Sequence, residues 1–154
     1  MRIYLVVMDE TEEAKTALRF ASVRARETGG SVHILALVPR QSFNAFGGVQ
    51  ATIEREAAER AEVMANAAAG NIFAESGKMP VIAVRIGNAN EVIGTYIEEL
   101  GDIAALVLGA AANGSPGPLV THFAGHAGTL PCPLYLIPGG LDNAAVDSLA
   151  ARGA

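Results

Sequence analysis

Five short, mostly apolar runs, at residues 3–8 (without polar alternation), 32–38, 80–86, 103–108 and 132–137, are separated by stretches whose apolar residues recur at helical spacing. Unalternating runs of this length suit strands buried on both faces, and the alternation with helices predicts βαβ crossovers. The first intervening stretch shows the grammar most fully. Asp9 or Thr11 can cap a helix with Glu12 and Glu13 in its first turn; Ala14, Ala17, Leu18, Ala21 and Ala25 make one stripe; Arg24 and Arg26 lie near the end, and Gly29-Gly30 stops it. A long helix is predicted over 49–75 from Ile53, Ala57, Ala61, Met64 and Ala68, with Gly70 as an interruption. Asn88 or Asn90 opens a third helix, carrying Val92, Ile93, Tyr96, Ile97 and Leu100 and stopped by Gly101. A fourth helix is expected over 118–130 and a short one over 142–151.

Right-handed crossovers between parallel strands require helices on both faces, so the pattern predicts an α/β fold: a single-domain, doubly wound, five-stranded parallel sheet of order 3-2-1-4-5. Residues 1–138 would form the domain and 139–154 a C-terminal tail. In that order the winding reverses between strands 1 and 4, and a crevice opens at their carboxyl ends. The loops that would flank it are Met8-Asp9 and residues 109–118.

Composition bounds the partners. A chain of 154 residues is one domain in length, and no apolar run approaches the roughly 18 to 20 residues that span a bilayer. Arg2 is followed by a short apolar run and then Asp9-Glu10, with no small-residue cleavage site. Cys132 is the single cysteine, so no intrachain disulfide can form. Together these predict a soluble cytoplasmic protein. A net charge of −5 without a basic stripe argues against nucleic acid and against anionic membrane surfaces as partners.

Residues 109–118 hold Gly109, Gly114, Ser115, Pro116, Gly117 and Pro118 between a buried strand and a helix, a layout that can aim backbone N–H groups and a helix dipole at a phosphate. No Lys or Arg lies between Arg85 and Arg152. A triphosphate here would rely on backbone N–H groups, the hydroxyls of Ser115 and Thr121, a metal ion and Arg40. The competing structural reading is that the glycines and prolines only shape the turn, with Pro118 in the first helical turn. The run from Gly109 to Ser115 has P-loop glycine spacing but Ser in place of Lys, which removes the main phosphate-binding cation. His122 and His126, four apart, share a helix face; without a third ligand they read as a surface or interface pair, and no metal site is assigned. Asp9 can bind a ribose hydroxyl or Mg2+, or can simply cap the helix. Cys132 before an apolar strand reads as a small buried hydrophobe.

The chain resembles the universal stress protein family. The resemblance is carried by Val6-Val7-Met8-Asp9, the Ala/Leu helix up to Gly29-Gly30, the strand 32–38, Gly87-Asn88-Ala89-Asn90-Glu91-Val92-Ile93, Asp102 leading to Leu106-Val107-Leu108-Gly109, and Leu130-Pro131-Cys132-Pro133-Leu134, over about residues 2–138. It implies the adenine nucleotide hydrolase-like fold just derived, a homodimer through strand 5 and, in one subgroup, ATP bound by a Gly-x2-Gly-x9-Gly-Ser/Thr loop after strand 4. Ala112 stands where the second glycine belongs, and anchoring on Pro131-Cys132-Pro133 puts Val120-Thr121 at the final Gly-Ser/Thr. Gly109 and Thr121 transfer directly, while Gly114, Ser115 and Gly117 substitute along another backbone path. Asp9, with Met8 beside it, matches the acidic residue near the ribose, and Val38 a position whose backbone meets adenine.

Three functions follow as expectations: a stress-response module binding ATP or AMP, with Mg2+, as a regulatory ligand; a dimeric interaction protein of the same family without the nucleotide; and, ranked last, a slow ATPase or adenylate-transferring enzyme. The last is disfavoured because no nucleophile–base pair converges on the crevice. An exposed fifth strand invites pairing, with Leu134 and Leu136 on one face and Tyr135 and Ile137 on the other, unless the tail covers its edge.

Overall fold

The computed structural model describes residues 2–40 and 47–152, so most of the polar, glycine-containing stretch that the sequence places between the second strand and the long helix, residues 40–48, lies outside the described residues. The elements run β1 (Ile3–Met8), α1 (Glu12–Thr28), β2 (Ser31–Val38), α2 (Gly47–Ser76), β3 (Val81–Ile86), α3 (Ala89–Leu100), β4 (Ala105–Ala110), α4 (Pro118–Gly125), β5 (Leu134–Pro138) and α5 (Asn143–Ala151). All five strands are parallel, in the order β3-β2-β1-β4-β5. Val6 of β1 lies between Ile34 of β2 and Val107 of β4, so the central strand is hydrogen-bonded on both sides and apolar on both faces.

Side chains alternate between two buried layers. Val6, Ile34 and Val107 meet Ala17, Ala21 and Ala25 of α1 and Ala65, Ala69 and Ile72 of α2. Leu5, Leu35 and Leu106 meet Ile93 and Ile97 of α3 and Val120 and Phe123 of α4. The alanine stripe lets α1 approach the sheet closely, while larger side chains fill the opposite layer; burying each large aliphatic contributes about 1.5–3 kcal/mol.

Several boundaries differ from the sequence reading for local reasons. Gly70 lies inside an unbroken α2; an isolated glycine costs only about 1 kcal/mol, which a helix anchored on a core tolerates. The fourth helix ends at Gly125, and a 3-10 turn (Ala127–Thr129) replaces its expected last turn. Gly125 and Gly128 explain that break, since each lowers helix propensity. β3 starts after Pro80, which has no N–H to donate. β5 starts at Leu134, after Pro131 and Pro133. β4 begins at Ala105 and runs two residues beyond Leu108, so Gly109 belongs to the strand and not to the loop after it.

The C-terminal helix is seated on α1. Val146 and Ala150 are buried, Arg19 forks onto both carboxylate oxygens of Asp147 at 2.7 Å, and Arg24 donates to the carbonyls of Ala150 and Arg152. β5 thereby remains an edge strand.

Candidate functional site

The carboxyl ends of β1 and β4 lie side by side, through the pairs Tyr4–Ala105, Leu5–Leu106 and Val6–Val107. Above them a cavity of about 60 Å³ is lined by Asp9, Thr11 and Glu13 on one side and by Gly109, Pro116 and Gly117 on the other. The two loops expected to face each other do so.

Asp9 is held in place by its own chain. Its Oδ1 accepts from the Thr11 N–H at 3.0 Å and from the Thr11 hydroxyl at 2.5 Å. Thr11, not Asp9, is the N-cap of α1, its Oγ1 accepting from the Ala14 N–H at 3.3 Å. The carboxylate of Asp9 therefore braces the cap through Oδ1, and Asp9 lines the crevice. Glu13, one turn further on, adds a second carboxylate to the same lining, and no Lys or Arg is among the residues that line it. A phosphate would meet net negative charge at close range.

Gly109 is a glycine because of packing. A Cβ built on it would lie 2.0 Å from the carbonyl oxygen of Glu13, so β4 passes directly beneath the first turn of α1. Gly139 completes the seat: its Cβ would meet the Ala110 oxygen at 2.6 Å and Glu13 Cβ at 2.8 Å, and its N–H donates to the Ala110 carbonyl at 2.7 Å. The sequence reading passed over Gly139 as the start of the tail; the doubled Gly139-Gly140 immediately after a strand was the available signal.

The loop after β4 is closed on itself. The Ala111 N–H donates to the Pro116 carbonyl at 3.0 Å, Gly114 has φ 72°, and the Gly117 N–H points at Ser115 Oγ at 3.4 Å. Gly117 is the N-cap of α4, with φ 115° and Pro118 following it. Thr121 lies within the helix, its N–H donating to the Gly117 carbonyl at 3.1 Å. Of the residues singled out from sequence, Asp9, Gly109 and Gly117 come together at the cavity, whereas Met8, Val38, Gly114, Ser115 and Thr121 do not line it. Met8 is buried in the α1 layer. The Val38 carbonyl is occupied by the Gly87 N–H at 3.1 Å. Arg40 lines a separate cavity of about 310 Å³ with Arg85, Asn88 and Tyr96.

The remaining titratable candidates stand apart from the crevice. Burial pushes the Cys132 thiol above its ordinary range, against a smaller opposing effect of a backbone hydrogen bond with Leu106, as suits an inert half-buried side chain. Among the described residues no group of three or more His, Cys, Asp or Glu is placed to hold a metal ion. No helix among them is long and apolar enough to cross a membrane.

An open parallel sheet of this strand order, with helices on both faces and a crevice at the point where the winding reverses, defines a doubly wound α/β protein of the kind that receives ligands beyond its strand ends. The chain belongs to the universal stress protein family, whose sequence model matches residues 1–137. Among solved structures it is similar to universal stress protein UspA from Lactobacillus plantarum (TM-score 0.78, 20% identity, covering 88% of this chain and 97% of that one). It is also similar to a universal stress family protein from Burkholderia pseudomallei (TM-score 0.67, 16% identity, covering 88% and 95%). A third similar structure is a universal stress protein in complex with cAMP (TM-score 0.56, 14% identity, covering 88% and 96%). Among curated proteins, none matches the chain.

Proposed function

We propose that this protein is a cytosolic stress-response module that works as a homodimeric interaction protein, with the β5 edge as its working surface. The observation that carries this reading is the contrast between the two ends of the molecule's chemistry. The crevice is about 60 Å³ and bordered by two carboxylates, too small and too acidic as it stands for a nucleotide polyphosphate. The β5 edge borders a mainly apolar groove of about 470 Å³, with Phe20, Leu134, Leu136 and Leu149 among its lining and Arg24 and Arg152 as its charged members; Leu136 is 40% and Leu149 41% exposed. An edge strand with unpaired backbone groups and exposed leucines is stabilised by pairing with a second copy of itself. Sedimentation velocity of the full chain tests this: the expected result is a dimer that Leu136→Lys converts to a folded monomer. A wild-type monomer at micromolar concentration would overturn it.

A second reading is a regulatory adenine nucleotide, ATP or AMP with Mg2+, in the crevice. It is favoured by the position of the crevice at the reversal of winding and by a structural relative described in complex with cAMP. Asp9 and Glu13 would hold Mg2+, which would offset the phosphate charge, and residues 111–117 would have to open. Thermal unfolding with Mg·ATP, AMP or cAMP separates the readings. A ligand at about a thousand times its Kd stabilises by about 4 kcal/mol; no shift is expected if the β5 edge alone is at work.

A further inference from the structure

α4 ends in a pair of imidazoles that neither the crevice nor the β5 edge uses. His122 and His126 are four residues apart, their ring centroids are 4.4 Å apart and the rings are inclined by only 33°. His126 Nδ1 lies 2.7 Å from the His122 carbonyl oxygen. A carbonyl only accepts, so Nδ1 carries a proton, and in the neutral imidazole the lone pair is then on Nε2. That is the ligating tautomer, fixed by the outer hydrogen bond that metal-bound histidines commonly have. The His122 ring lies edge-on to the buried ring of its chain neighbour Phe123, at 4.9 Å and 86°. His126 is thus tied to the backbone, His122 touches an aromatic ring of the core, and both reach solvent.

From this geometry we propose that His122 and His126 form a two-imidazole site for a borderline divalent transition metal, of the class Cu2+, Ni2+ or Zn2+. With metal–nitrogen bonds of roughly 2.0–2.1 Å, rings whose centroids lie 4.4 Å apart are within reach of one shared ion. The site lies at the carboxyl end of α4, where the outward carbonyls carry partial negative charge and favour a cation. No Lys or Arg occurs between Arg85 and Arg152 in the sequence, and the chain's net charge is −5. Imidazole nitrogens select Cu2+ over Zn2+ and leave hard, oxygen-seeking Mg2+ and Ca2+ unbound. With two protein ligands, the other coordination positions fall to water or to an exogenous donor, so the metal exchanges readily and is stripped by chelators.

The test uses the untagged full chain, stripped with chelator and titrated calorimetrically with Cu2+, Zn2+ and Mg2+. The expected result is saturable binding of one Cu2+ or Zn2+ per chain and none of Mg2+, with nitrogen hyperfine structure in the Cu2+ electron paramagnetic resonance spectrum. His122→Ala and His126→Ala should each weaken binding by about tenfold or more, and His33→Gln should leave it unchanged. Because His126 is exposed, His126→Ala keeps the fold intact even if His122→Ala disturbs the Phe123 contact. Absence of saturable binding, binding unaffected by His126→Ala, or binding abolished by His33→Gln would each overturn the assignment.

Discussion

At Gly109 one hydrogen atom in place of a methyl group decides whether the first turn of α1 can sit on β4. Replacing it with alanine would drive Cβ into the Glu13 main chain, and overpacking of this kind costs about 1–3 kcal/mol or more. We expect Gly109→Ala to lower the urea midpoint markedly. Gly114→Ala, whose Cβ would meet nothing within 4 Å, should lose only the left-handed backbone preference, about 1 kcal/mol. From sequence, Gly109 marked a special place but not its reason: the neighbour that needs the space is Glu13, almost a hundred positions earlier. A second residue-scale effect belongs to His33, whose Nδ1 is buried without a hydrogen-bond partner. Burial pushes its pKa below the usual 6.5. The unfolded chain then binds the proton first, so the stability tied to neutral His33 is complete above about pH 6.5 and is lost as pH falls through the folded-state value. Chemical denaturation between pH 7.5 and pH 5 should show this decline, and His33→Gln should flatten it.

The elements whose signals are local were readable in advance. The acidic first turn and Gly29 stop of α1, the Asn88 cap of α3 (one of two candidates with Asn90) and the start of α5 at 142–143 are all set by residues within a few positions of the helix end. The clasp between α1 and α5 was not, because Arg19 and Asp147 are 128 residues apart and each alone looks like a solvated charge. Arg19 holds the Asp147 carboxyl below its ordinary range, by hydrogen bonding first and charge attraction second. Its contribution is therefore present above the normal carboxylate pKa and disappears as pH drops through the depressed one. Both side chains are more than a third exposed, so Asp147→Asn should cost at most about 1 kcal/mol. Arg24→Ala should cost more, about 1.5–3 kcal/mol, since it strips the carbonyls of Ala150 and Arg152 of a charged donor. Equilibrium unfolding of the two variants in parallel checks the order.

At the scale of the whole molecule, the strand order followed from the alternation of strand-like and helix-like runs, because right-handed crossovers leave few other arrangements. The shape of the crevice did not follow, since it depends on the path of residues 111–116, and nothing in their periodicity encodes the Ala111–Pro116 hydrogen bond. The position of α5 makes a further prediction. A chain ending at Pro138 uncovers the face of α1 against which Val146 (1% exposed) and Ala150 (0%) are packed, so it should melt several degrees lower, and it also removes Leu149 from the groove beside β5. A truncated chain with unchanged melting would show that α5 contributes nothing to the core. The notch left by two absent side chains, at Gly109 and Gly139, also joins parts of the molecule that otherwise look independent. Glu13 forms a wall of the cleft and rests on the residue that follows β5, so a neighbour clamping that outer strand would stiffen the cleft floor, and quaternary state would govern how far its mouth can yield.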